Sequence, residues 1–285
     1  MPIITQKLPS FNAIAPGSTA SLKVPTTVTY AAIDIQITHD VAATPTLMSL
    51  ADMKTKIARV RLMIDGHAMW NITGKNLVEL NAFYNQNAVD GSGILSLVFA
   101  QGYLDNPANE DALALGTASK ADGKPIQNVT IEVELASDIV APKLEATATA
   151  YTGANMPLGQ FIQLEDTHYS ATGVGKFEIS DLPVVGANIG LKALHFTTDK
   201  ISHIEIKGNN NILHEFNQQV NAAVLKRRTG RTVGRTAQAG FTHVDVGGNR
   251  LGDVIRTDVF RDFRLKLDMT EATAFTILHE PVVTV

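Results

Sequence analysis

The sequence predicts an all-β protein of two consecutive sandwiches, each with one short helix. Three observations carry that prediction. Apolar and polar residues alternate with period two through both halves of the chain. Turn dipeptides punctuate the alternation at short intervals. One short pattern is also spelled twice, 136 residues apart: LVELNAFYN at 77–85 and LHEFNQQVN at 213–221. Leu77/Leu213, Glu79/Glu215, Asn81/Asn217 and Asn85/Asn221 are identical, and Leu80 and Tyr84 match Phe216 and Val220.

The elements follow in order. AAIDIQI (31–37) puts Ile33, Ile35 and Ile37 on one face, with Asp34 and Gln36 on the other. RVRLMID (59–65) turns Val60, Leu62 and Ile64 inward, then meets the turn Asp65-Gly66. Apolar positions at i, i+3 and i+7 predict a helix over 76–86, with Leu77, Leu80 and Tyr84 inward. GILSLVFAQG (93–102) and NVTIEVEL (128–135) are the next strands. The second half repeats the series: EISDLP (178–183) and a strand to Phe196, SHIEIKG (202–208), a helix over 212–224, GFTHVDVGGN (240–249) and DFRLKLDM (262–269). In that helix Leu213, Phe216 and Val220 are expected to face inward. Half-buried alternation of this kind belongs to antiparallel sheets. About eight strands per half in two sheets is the jelly-roll count. The expected fold is therefore two consecutive eight-stranded jelly-roll sandwiches, residues 1–153 and 154–285, with a seam near YTGANMPLG (151–159). The first half carries longer polar insertions at 38–56 and 103–126.

Composition excludes several classes. Aromatics are 6% with one tryptophan, Trp70, which is light for a sugar-stacking cleft. A net charge of −4 gives no nucleic-acid signature, and specific nucleic-acid binding is not expected. The absence of cysteine removes disulfides and thiolate metal sites. The start, MPIITQKLPSF, lacks the basic residues and apolar run of a signal peptide, and no apolar stretch is long enough to span a membrane. The expectation is a protein that works where it is made or leaves inside a larger assembly.

No catalytic motif is present, and no enzyme activity is expected. TGVGKFE (172–178) lacks the first glycine and the Ser/Thr of a phosphate-binding loop, and reads as a turn before a strand. His67, His195, His203, His214 and His243 lie in or beside predicted elements and read as packed or surface residues. Glu132 and Glu134 share the outer face of one strand, as solvated carboxylates do. The loop YLDNPANED (103–111) clusters Asp105, Asn109, Glu110 and Asp111, oxygen ligands suited to Ca2+, though outside the EF-hand register. It reads first as an ordinary polar loop, and no other cofactor is called for. KRRTGRTVGR (226–235) gathers Lys226, Arg227, Arg228, Arg231 and Arg235 without one acid. Such a patch can touch phosphate of lipid or nucleic acid, or pair with a neighbour's carboxylates.

Several segments, in order over nearly the whole chain, carry a resemblance. They include FNAIAPGSTASLKVP (11–25), TYAAIDIQI (29–37), ARVRLMIDG (58–66), NLVEL (76–80), GILSLVFAQ (93–101), VAPKLEATA (140–148), EISDLP (178–183), HIEIKG (203–208) and FRLKLDMT (263–270). With the duplication, the chain resembles the double jelly-roll major capsid proteins of icosahedral viruses, closest to the corticovirus type of membrane-containing marine bacteriophages. The insertions and the basic run depart from that pattern. The resemblance implies a structural protein forming pseudo-hexagonal homotrimers that tile a shell, in many relatives over an internal membrane. It implies neighbouring capsomers, a vertex (penton) protein and the viral membrane as partners. It also implies a place in the virion after assembly in the host cytoplasm. The five uncompensated charges of the basic run, attracted to phosphate, are expected to put that loop at the inner end of such a tile. Two other classes compete. A carbohydrate- or receptor-binding jelly roll, such as a lectin or virion spike, would want an aromatic platform or a calcium site. A jelly-roll enzyme of cupin or glycosidase type would want clustered metal ligands or facing carboxylates.

Overall fold

The computed structural model describes residues 3–102, 104, 107–153, 155–184, 186, 189–227 and 235–284, with 107 and 109 described by their backbone. Two compact units result. One runs to Gln101 and resumes over Glu110–Phe161; the other comprises Gly102–Asn109 and Ile162–Thr284. The first contains β1 (Ile3–Lys7), β2 (Thr19–Val24), β3 (Thr29–Val41), β4 (Thr44–Leu47), α1 (Leu50–Lys56), β5 (Ile57–Ile64), β6 (His67–Ile72), α2 (Gly74–Phe83), β7 (Ile94–Val98), β8 (Val129–Leu135) and β9 (Lys143–Tyr151). α3 (Pro107–Ala112) and β10 (Gln160–Ile162) follow in chain order where the units divide. The second contains β11 (Leu164–Ala171), β12 (Gly175–Ile179), β13 (Ile189–Phe196), β14 (Ile201–Gly208), β15 (Asn211–Asn217), α4 (Gln218–Arg227), β16 (Thr242–Asp245), β17 (Ile255–Arg256), β18 (Phe263–Met269) and β19 (Thr273–Thr284).

Setting aside the short β4, β10 and β17, each unit has eight principal strands among the described residues. In the first, β1-β9-β3-β7 form one sheet and β2-β8-β5-β6 the other. In the second, β11-β19-β13-β16 and β12-β18-β14-β15 do the same. Counted along each unit, both read 1-8-3-6 and 2-7-4-5, and every pairing is antiparallel. This is the double jelly roll the alternation predicts. Ile33, Ile35 and Ile37 of β3 and Ile131 and Val133 of β8 are fully buried. Outward on the same strands, Glu132 and Glu134 both reach Arg61 of β5, at 3.5 and 3.1 Å. In the second unit Leu194, Phe196, Ile204, Ile206, Leu265 and Ile277 meet in one core cluster drawn from both sheets.

The hairpins β5–β6 and β14–β15 turn through the same geometry. Asp65-Gly66 and Asn209-Asn210 all have positive φ, 47° and 84° in one turn and 47° and 66° in the other. Two left-handed residues match a two-residue turn to the twist of the strands, which is why Asp, Asn and Gly occupy it. Each turn also holds the approach to the seventh strand. Asp65 N–H donates to Asn128 O at 2.8 Å, and its Oδ1 accepts from the N–H groups of Gln127 and Asn128 at 2.9 Å. Asn209 N–H donates to Asp262 O at 2.8 Å, and its Oδ1 accepts from Arg261 and Asp262 at 3.0 and 3.3 Å.

The helices depart from expectation in phase. α2 fills Gly74–Phe83, where 76–86 is expected, with Thr73 accepting from Asn76 N–H as its cap. The predicted second helix, 212–224, is half strand. Residues 211–217 form β15, in register with β14 at Glu205↔Glu215 and Ile204↔Phe216. The helix begins only after Asn217, whose Oδ1 accepts from Val220 N–H at 2.8 Å. The turn at Asn209-Asn210 leads the chain straight back along β14, and the ladder overrides the helical spacing of Leu213 and Phe216. Leu77, Leu80 and Tyr84 are buried, and Leu213 and Phe216 pack half-buried on the core. Val220 is 50% exposed, against the expectation. The insertion 38–56 forms β4 and a further helix, α1, opened by Ser49, whose Oγ accepts from Asp52 N–H.

Candidate functional surfaces

The most detailed shared feature is the seat of the helix on the sheet below it. In β3 the pairing with β9 skips Ala31, and in β13 the pairing with β19 skips Lys192; each is the extra residue of a bulge. The carbonyl of each extra residue accepts two successive N–H groups at 2.9 Å, from Phe99 and Ala100 in one unit and from Val246 and Gly247 in the other. Three residues on, a polar side chain bonds across to the sixth strand. Asp34 Oδ1 takes the Ser96 hydroxyl at 2.6 Å, and His195 Nδ1 meets His243 Nδ1 at 2.7 Å. A buried helix asparagine then donates to the main chain of that partner: Asn81 Nδ2 to Ser96 O at 2.8 Å, Asn221 Nδ2 to His243 O at 2.6 Å. Asn81 therefore corresponds to Asn221, where the sequence repeat pairs it with Asn217. The slip is four residues, close to one helical turn, and such a slip leaves the same face presented.

The second unit elaborates this seat into a buried charged network. Glu280 of β19 accepts from Lys192 Nζ at 2.6 Å and from His195 Nε2 at 3.0 Å, and all three side chains are at most 2% exposed. Gln238 N–H donates to His243 Nε2, at 3.4 Å. The hydrogen-bond pattern then assigns the tautomers. His243 carries its hydrogen on Nδ1 and gives it to His195 Nδ1, and His195 gives its Nε2 hydrogen to Glu280. Burial, with His195 beside it, pushes His243 down to about 2. Burial raises the Glu280 carboxyl, but Lys192 and His195 outweigh it and hold the group well below the usual carboxylate range. Phe241 stacks on His243, ring planes 4° apart. The network holds its charges by hydrogen bonds among buried side chains.

Arg235 joins the interior and leaves the basic run. Its side chain is 1% exposed; Nε meets Asp245 Oδ2 at 3.0 Å, and Nη2 donates to Gly248 O and Asn249 Oδ1. Arg235, expected with the rest of the run as a membrane or anion contact, is buried instead on Asp245, an acid ten residues away and invisible to a local charge count. Lys226 and Arg227 are exposed in the last turn of α4, where cations complement the helix dipole. Arg228 and Arg231 lie outside the described residues.

Of the calcium candidates, Glu110 and Asp111 fall in α3, and Asp111 Oδ1 accepts from the Tyr151 hydroxyl at 2.6 Å. Asn109 is in the same helix, and Asp105 lies outside the described residues. Among the described residues three ligating side chains do converge elsewhere, at His203, Glu205 and Glu215 on β14 and β15. Within that group Glu205 is paired with Lys207 at 2.8 Å, and Glu215 meets His203 at 3.2 Å. No aromatic side chain among the described residues is exposed, and Trp70 is buried against Phe99. The described surface thus offers no stacking platform for a sugar.

Two sandwiches of one strand order, seating their helices by the same bonds, define a double jelly-roll coat protein. The family models agree in both halves. The N-terminal domain of viral coat protein P2 matches residues 5–152 and the C-terminal domain of viral coat protein P2 matches 161–285. The chain belongs to the viral coat protein P2 family. Among solved structures it is similar to the major capsid protein P2 of bacteriophage PM2, at 18% identity and TM-score 0.84, over 99% of this chain and 98% of that one. It is similar in fold to the atomic structure of Sulfolobus turreted icosahedral virus, at 11% identity and TM-score 0.66, over 99% and 91% of the chains. A PBCV-1 virus capsid chain matches at 10% identity and TM-score 0.65, over 99% and 95%. No curated protein sequence matches the chain.

Proposed function

We propose that this viral major capsid protein works as a homotrimer, three chains giving six similar sandwiches and hence a pseudo-hexagonal tile of an icosahedral shell. The observation that supports it is the shared construction of the two sandwiches, down to the bulge at Ala31 and Lys192 and the helix asparagines Asn81 and Asn221. Two like bodies in one chain let a three-fold assembly fill six positions. Lateral partners are neighbouring trimers, with a vertex protein at the five-fold positions, and assembly takes place in the host cytoplasm. The exposed cations at Lys226 and Arg227 are the inner-end contact for an anionic membrane, at about 1 kcal/mol per charge near such a surface. The protein works by binding and tiling, without catalysis. Light scattering of the purified chain should give three times its 30.6 kDa mass, and negative-stain images should show a six-sided outline. A monomer at micromolar concentration that also fails to form particles would refute the proposal. Replacing Lys226 and Arg227 by Ser should leave trimers intact and weaken binding to anionic vesicles; unchanged vesicle binding would remove the membrane contact from the reading.

A further inference from the structure

Among the described residues the outer face of α4 is exposed at Val220, where its counterpart is covered. With Asn81 equivalent to Asn221, Leu80 of α2 and Tyr84 at its C-terminal cap correspond to Val220 and Val224 of α4. Leu80 and Tyr84 are each 7% exposed, and Val220 is 50% exposed. In the first sandwich α1 packs on α2, tied by Lys54–Glu79 at 2.8 Å, with Gly74 close against Ile57 and Met53. In the second, β13 and β14 are joined by residues 197–200 alone, so no such helix lies there. Val220 and Val224 instead line an open groove with His214 and Phe216 of β15. β15 ends its sheet, and Ile212 on it is 51% exposed. An open strand edge beside bare apolar side chains invites a further strand.

The first sandwich carries a matching strand. β1 ends its own sheet, with Ile3 59% and Ile4 37% exposed. Lys7 at the other end of the strand is taken up by Glu145 at 2.7 Å, and Glu215 of β15 meets His203 at 3.2 Å, so neither edge presents a bare charge against the other. Among the described residues the two edges are therefore both open and both carry exposed apolar side chains. A ring of identical chains closes through a heterologous contact, in which one patch meets a different patch on the next copy. An edge on the first sandwich and an edge on the second meet that requirement.

We propose that β1 of a second copy of this chain pairs along the free edge of β15, its Ile3 and Ile4 covering Ile212 and Val220. This rests on the trimer reading and assigns its closing contact. A stable interface takes roughly 20–30 residues a side, so the strand pair is the centre of a wider face. The chain has no cysteine, which makes the test clean. Full-length protein carrying Ile4→Cys with Ile212→Cys should yield covalent trimers on oxidation, seen on denaturing gels. Val220→Lys, at an exposed site, should fold as the parent does by circular dichroism and weaken trimerisation by about tenfold or more. Parent trimers that never cross-link through any pairing of positions 3, 4 and 5 with 212, 214 and 216 would overturn the proposal, as would an unchanged trimer affinity for Val220→Lys. A parent that stays monomeric would instead overturn the trimer reading, and this seat with it.

Discussion

Replacing Glu280 by Gln tests the buried network directly. The carboxylate accepts from Lys192 Nζ at 2.6 Å on one oxygen and from His195 Nε2 at 3.0 Å on the other. An amide keeps one acceptor and places an NH2 group where the second was. That NH2 faces either the Lys192 ammonium or the His195 N–H, donor against donor. Lys192, 2% exposed, would also keep its charge with no counter-charge in Glu280. Breaking a buried pair from one side costs about 3–5 kcal/mol. For a chain of this size that lowers the melting temperature by roughly 10 °C or more. Pairing Glu280→Gln with Lys192→Met removes both charges and should recover most of the loss, since a buried pair is worth little over an apolar substitute. Chemical denaturation of the parent, both single variants and the double gives the coupling energy. A single variant within about 1 kcal/mol of the parent, or a double variant as unstable as the sum of its parts, would refute the reasoning.

The helix seat predicts that Asn81→Ala and Asn221→Ala each cost about 1–3 kcal/mol, because each strands a buried carbonyl, Ser96 O or His243 O; urea melts of the two variants should agree within that range. Gly74→Ala should destabilise the first sandwich, since a Cβ there would sit 2.5 Å from Ile57 O and 2.9 Å from Met53 O, both main-chain atoms with little room to yield; a variant melting with the parent would show that α1 shifts freely.

The strands, their order and the duplication were legible because period-two alternation is written into residues such as Ile33, Ile35 and Ile37 and cannot survive a one-residue slip. The turn at Asp65-Gly66 was legible because both residues tolerate positive φ. The helix phase was not. LHEF reads as well for one helical turn as for a strand, and only pairing with β14 decides. α1 left a local signal, Ser49 with Asp52 three residues on, hidden inside an insertion judged by its polar composition. The interior partners of Arg235, Lys192 and His195 lie 10 to 88 residues away along the chain, across strands whose register no local pattern fixes.

That network also sets how the two sandwiches diverge in acid. Where the first has Asp34 and Ser96, the second has His195 and His243. His243 is pushed down to about 2, and His279 of β19, fully buried, is pushed down to about 4. Burial is the leading cause for both, with Asp166 opposing it at His279. A histidine depressed in the folded state is protonated first in the unfolded chain. Its contribution to stability is therefore complete above about pH 6.5 and is lost as pH falls toward the folded value. Each histidine removes about 1.4 kcal/mol per pH unit inside its window. Glu280 adds to the loss only below the ordinary carboxylate range, because its own folded value is depressed. Stability should fall steadily from pH 6.5 to 4, and hydrogen exchange should show β13, β16 and β19 opening first. His243→Gln should flatten the slope by about one proton's worth. A slope unchanged in that variant, or exchange rising first in β3, β7 and β9, would place the acid sensitivity outside the buried histidines.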